Sequence, residues 1–315
     1  MIPRLTIALL ILLAGDVSLF SQDPPRNPAA PAPAAERSRP ASSGSLKQII
    51  PGHYVYTSTA PGRSAFNSGV IVTSEGGVVL DALDSEAIGR GAREAISSVI
   101  KQPVRFLISS THHDNYTRGN VAYGDVLKIG HENYRTDLLQ LLTAARASAE
   151  EQTAKLPNQT FRDRLTLYFG GKEIQILYLG RAHTRGDSIL FVPQDRIAYL
   201  SELFFSEQFP NMAEGYGVSW LRALDAVEAL GADIFVPGHG PIPEDPRQTR
   251  PGLHRMRQIF VDARDAIQNE IARGATEDQA VAAVKLQQYE KLPTYAGQRE
   301  IMVRRMYKEL TGKLP

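Results

Sequence analysis

Three times in this chain a short run of apolar, β-type residues breaks into a polar or glycine-rich string that carries a histidine. Val104–Ile108 runs into STHHDNYTRGN (110–120), a strand ending near Leu179 into GRAHTRGDS (180–188), and Asp233–Val236 into PGHGP (237–241). His113, His183 and His239 therefore sit at strand-to-loop junctions, where sites are usually built. Glu202 follows the strand run Arg196–Leu200. Imidazole plus carboxylate is a ligand set for zinc or a similar divalent metal, iron included. Ligands on four separate loops meet only if a rigid scaffold brings those strand ends to one edge.

The rest of the pattern supplies such a scaffold. His53–Thr57, Gly69–Thr73 and Val78–Leu80 read as strands around a Glu75-Gly76-Gly77 turn. Ser85–Ile100 carries apolar residues at helical spacing, Val126–Ile129 is a strand, and Asn133–Ala149 reads as a helix. A second β-rich stretch spans 165–200, and Val218–Leu230 is an amphipathic helix containing Trp220, a core residue. Helices follow Pro246 to the end, with a capping box at Thr276 and Gln279. Strands interleaved with helices in this order predict sheets covered by helices on their outer faces.

The chain balances 35 Lys+Arg against 34 Asp+Glu, for a net charge of +1. That excludes a bulk electrostatic grip on nucleic acid. It has no cysteine, which removes disulfides, Cys-zinc sites, iron–sulfur clusters and thiol nucleophiles. It has no P-loop, G-x-S-x-G elbow or H-E-x-x-H, and Gly89-Arg90-Gly91 lacks the third glycine of a dinucleotide fingerprint. At the start, a basic Met1–Arg4, an apolar Leu5–Gly15 and small residues to Ser21 form a secretory signal pattern. The expectation is an exported, periplasmic or extracellular protein, with no membrane span after cleavage of residues 1–21; an uncleaved signal anchor is the alternative. Residues 22–45, rich in Pro, Ala, Ser and Arg, read as a semi-extended tether. The folded part is expected over 46–246, with a helical extension over 247–315.

The strings, in this order, resemble the metallo-β-lactamase superfamily. NSGVIVTSEGGVVLDALDS, the loop after RFLIS, the GRAHTRGDS loop, the Glu202 strand and VPGHGP carry the resemblance over roughly Gly52 to Pro241, and IGHENYR (129–135) resembles exported members related to quinoprotein-relay metallohydrolases. The resemblance implies an α+β fold, a four-layer αββα sandwich with a metal centre at one edge of two sheets. It also exposes departures. The family's first metal loop reads His-x-His-x-Asp-His before Thr-Gly-Gly-Asn. With Thr117, Gly119 and Asn120 on the trailing residues, His113 matches the second histidine, while Thr111 stands for the first, Asn115 for the aspartate and Tyr116 for the last histidine. His183 and His239 match later ligands, and Glu202 stands for the bridging aspartate.

Two readings follow. In the first, His113, His183 and Glu202 hold a single metal, with His239 as fourth ligand or as an acid behind the ligands. Asp114 or Glu202 then accepts the proton of an attacking water, and Tyr116 hydrogen-bonds a developing oxyanion. Its partner is a small-molecule substrate. In the second, the chain is a catalytically degenerate, metal-free binding or scaffold protein, in which Arg118 and Arg185 hold an anionic ligand. His112 is read as a neighbour of the site, His131 as locally structural, and His53 and His254 as packing or surface residues. Asp187 is read as orienting the His183 loop, and Asp81 as binding backbone in its turn.

Overall fold

The computed structural model describes residues 43–59 and 64–314. The leader pattern and residues 22–42 of the tether lie outside the described residues. Strands β1 (Ser43–Ile50), β2 (His53–Thr59), β3 (Phe66–Val72) and β4 (Gly77–Leu80) pair antiparallel in succession. β5 (Val104–Ser109), β6 (Leu127–His131) and β7 (Gln159–Phe161) then add in parallel. Their crossovers carry α1 (Glu86–Val99), the short α2 (Asp114–Thr117), α3 (Glu132–Ala144) and α4 (Ala149–Lys155). In the second half β8 (Arg164–Phe169), β9 (Lys172–Leu177), β10 (Ile189–Val192) and β11 (Ile197–Phe205) are antiparallel. α5 (Gly217–Ala229) crosses to β12 (Ile234–His239), parallel to β11. The chain closes with α6 (Thr249–Ala272), α7 (Glu277–Ala283) and α8 (Tyr295–Leu310).

The period-two pattern of the strands creates the layers. Val70, Val79 and Leu107 point outward into one cluster with Ile96 of α1 and with Ala122. Their sequence neighbours Ile71, Val78, Leu80 and Ile108 point inward, against Ile176, Leu190, Ile197, Tyr199 and Val236 of the other half. On the far side Ala198, Leu200 and Phe235 turn outward onto Leu224, Phe260, Met302 and Met306 of the helices. The result is the expected αββα order, and a one-residue slip of any central strand would invert it. Each buried Val, Leu or Ile contributes about 1.5–3 kcal/mol of transfer free energy to that register. The two halves meet at the β3–β12 rung Phe66↔His239.

Three local readings differ from the structure. Residues 43–45, read as tether, are strand, because β1 pairs with β2 as far as Ser43↔Thr59. The helix from Asn133 stops at Ala144: Arg146 takes a left-handed conformation (φ 57°), and Ser148 caps α4 by accepting from Glu151 N. β11 runs past Leu200 to Phe205, because its ladder to β12 continues through two register shifts beyond Tyr199. Ser201 is left-handed there (φ 46°), and a Cβ on Gly238 would lie 2.3 Å from the Ser201 carbonyl. Only glycine lets β12 approach the bulge that presents Glu202. The C-terminal helices share one core with β11 and α5, since Leu253, Met256, Met302 and Val303 pack in one cluster with Trp220.

Candidate metal centre

His113 leaves β5 as the N-cap of α2, His183 sits on the β9–β10 loop, Glu202 on β11, and His239 ends β12. The strand order brings all four to one edge, where the three histidines surround the Glu202 carboxylate. Glu202 is 1% exposed, and its two oxygens have different surroundings. Oε1 accepts from Asn115 Nδ2 at 3.0 Å and pairs with His239 Nε2 at 2.9 Å. Oε2 lies 2.6 Å from His183 Nδ1 and 4.0 Å from His113 Nδ1. The short contact is not a hydrogen bond. Glu202 Oε2 and both ring nitrogens of His183 are buried without a hydrogen-bond partner among the described residues.

Native proteins rarely leave such atoms unpaired, because each costs about 1–3 kcal/mol. Atoms that crowd together without bonding each other form a group that could hold one ion. One nitrogen each from His113 and His183 and one Glu202 oxygen lie within 4.8 Å of one another. Two imidazoles and a carboxylate are a zinc-type donor set with room for a further ligand, so these residues fit a divalent metal. The electrostatics agree. Burial pushes the Glu202 carboxyl up, but His183 and His239 outweigh it and hold it well below the usual carboxylate range. Burial pulls the His113 imidazole down, but Glu202 and Glu214 outweigh it and raise it to about 10.

The surrounding residues fix these side chains. Asp187 accepts from Thr184 N and Thr184 Oγ1, both at 2.6 Å, which orients the His183 loop as expected. Asp81 accepts from Ser110 N at 2.8 Å and contacts Ser110 and Ser201 hydroxyls, tying the end of β5 to the bulge in β11. Burial raises its carboxyl to about 7. Phe205 stacks on His239 with ring centroids 4.4 Å apart, and Trp220 meets His183 edge-on at 5.6 Å.

The other expected residues fall elsewhere. Tyr116 is fully buried and donates to Gly238 O, with its ring edge-on to Phe66 and His239. Its hydroxyl proton is already given to backbone, so it is not aimed at an oxyanion. Asp114, expected as a proton acceptor, is exposed and paired with Arg118, four residues on. Arg185 donates to both oxygens of Asp137. Neither guanidinium of the metal-free reading is a partner of Glu202. Thr111 is buried with its Oγ1 unpartnered among the described residues, where the resemblance places a first histidine.

Glu214 was not anticipated. It lies on the β11–α5 loop, 3.1 Å from His112 Nε2 and 3.5 Å from His113 Nε2. The string MAEGYG around it has no local signature. A cavity of about 560 Å³ opens beside it, lined by His112, Asp137, Arg185, Glu214, Tyr216 and Arg305 among others.

A family model described as the metallo-β-lactamase superfamily matches residues 62–239. The linear primary-alkylsulfatase of Pseudomonas sp. is 27% identical over 136 residues, 41% of this chain and 26% of that protein. The 2,4-dinitroanisole O-demethylase subunit alpha of Nocardioides sp. is 26% identical over 179 residues, 55% of this chain and 52% of that one. The chain thus spans about a quarter and about half of the lengths of these two relatives. Among solved structures, the metallo-β-lactamase from Pontibacter korlensis superposes with a TM-score of 0.59 at 21% identity, covering 69% of this chain and 99% of that one, which is a likeness of fold. With the layer order, the Gly238-dependent bulge and the histidine-bearing strand ends already in place, the match over 62–239 makes this chain a member of the metallo-β-lactamase superfamily, with a hydrolase-type fold.

Proposed function

We propose that the chain is a metal-dependent hydrolase that holds one catalytic ion, zinc by preference, on His113, His183 and Glu202. The observation that carries this reading is the cluster of buried, unpartnered ligand atoms, Glu202 Oε2 and the His183 nitrogens, beside His113 Nδ1. A zinc-type ion bound there supplies Lewis-acid polarisation and water activation. His239 and Asn115 act on the carboxylate: they hold Oε1 and so aim Oε2 at the two imidazoles. Such outer partners set ligand geometry and basicity. Of the roles foreseen for His239, its 2.9 Å contact with Oε1 supports the one behind the ligands.

The cavity lined by His112 and Glu214, beside the His113 ring, is the candidate berth for a small-molecule substrate. Its lining mixes Asp137 and Glu214 with Arg185 and Arg305, which suits a polar ester. The alkylsulfatase relative is named for such a substrate. The leader pattern supports export.

The test is elemental analysis of the purified chain with a hydrolysis panel of chromogenic sulfate, phosphate and carboxylate esters, lactones and β-lactams. The expected result is a tightly held ion and ion-dependent turnover of at least one class, both lost in His183→Ala. A chain that binds no ion from excess zinc overturns the proposal.

A further inference from the structure

Beyond that catalytic ion, we propose that His112, His113 and Glu214 form a second, outer divalent-cation site at the mouth of the cavity. The His112 and His113 rings lie edge-to-face with centroids 4.7 Å apart, and one carboxylate spans them. Glu214 Oε2 is 3.1 Å from His112 Nε2, and Oε1 is 3.5 Å from His113 Nε2. One atom from each of the three residues lies within 4.8 Å of the other two. Both imidazoles present Nε2 to the same spot, and the cavity leaves the remaining coordination positions to solvent or substrate.

His112 Nδ1 is buried and has no hydrogen-bond partner among the described residues, with Asp137 Oδ2 3.9 Å away. The His112 ring therefore enters this group through Nε2, the nitrogen that faces Glu214. His113 faces Glu202 through Nδ1 and Glu214 through Nε2. Because this ring is shared with the inner ion, the outer ion is the weaker of the two. The inner residues leave no alternative berth: Asn115 is bonded to Glu202, Tyr116 to Gly238 O, and His239 to Glu202.

Equilibrium dialysis of the metal-free full chain against Co²⁺, with bound cobalt counted per chain and its visible absorption recorded, tests this. Two equivalents of unequal affinity are expected. Glu214→Gln, at a half-exposed side chain, and His112→Ala should each remove the weaker equivalent and its absorption band while the tighter one stays. His183→Ala should remove the tighter one and spare the weaker. One equivalent in the parent, unchanged in Glu214→Gln and lost in His183→Ala, overturns the outer site and leaves the catalytic ion standing. Loss in Glu214→Gln with none in His183→Ala upholds the outer site and overturns the inner one.

Discussion

The sandwich holds a buried histidine–carboxylate cluster at each end, and the two differ in what they leave unpaired. At the end away from Glu202, His53 is fully buried, with Nε2 2.7 Å from Asp195 and Nδ1 3.1 Å from the Tyr199 hydroxyl. Lys172 neutralises the same Asp195. Every polar atom of the His53 ring has a partner, and the cluster joins β2 to β11 and the turn before it. At the Glu202 end, three imidazoles surround one carboxylate, yet Glu202 Oε2 and both His183 nitrogens are left over. Burial and a charged neighbour are common to both. Unspent ligand valence is what separates a site for chemistry from a structural polar knot.

That contrast can be broken by mutation. The largest effect is expected from Glu202→Ala, which removes the group the histidines share: ion-dependent turnover should fall to background, read by rates and by bound metal. Unchanged rates would remove Glu202 from the mechanism. Next comes His53→Ala, which leaves a cavity and strands Tyr199. It should cost about 2–4 kcal/mol in urea unfolding while bound metal stays constant. Burial, outweighing Asp195, lowers the His53 pKa in the fold. The unfolded chain therefore binds the proton more readily below its ordinary value of 6.5. The His53 contribution is complete above about pH 6.5 and declines as pH falls through the window beneath it. In His53→Ala that acid-side slope should flatten.

Smaller effects sharpen the boundary of the site. Tyr116→Phe removes the bond to Gly238 O and should cost about 1–2 kcal/mol of stability, with turnover nearly unchanged. A loss of about 100-fold in kcat would instead give Tyr116 the oxyanion role that its geometry denies. Asp114→Asn breaks a surface pair with Arg118 and should change stability by no more than about 0.5 kcal/mol. Activity should hold, and a collapse in rate would restore Asp114 as a proton acceptor.

Much of this molecule is legible from its residues in order. Unbroken apolar runs at Val70-Ile71, Val78-Val79 and Leu107-Ile108 report strands buried on both faces, and the four-layer order was what the family resemblance implied. His113, His183 and His239 could be named because each sits at or beside a strand end in a recognisable string, and Glu202 because its strand belongs to the same pattern. Other partners carried no such signal. Glu214 lies in a loop with no pattern, and its meeting with His112 depends on the path of the β11–α5 connection. Asp81 reaches Ser110 and Ser201 only through the register of β4, β5 and the bulge.

Linear order alone determined the alternating strands, the residue types able to ligate a cation and the absence of thiol chemistry, because periodicity and composition are local properties of the chain. Tertiary structure alone decided which oxygen of Glu202 is satisfied and which is not, that Tyr116 spends its proton on Gly238, and that Asp114 faces solvent. Those outcomes turn on distances and angles between strands far apart in sequence, and a rotation of one side chain by a single rotamer would change them without altering any pattern in the chain.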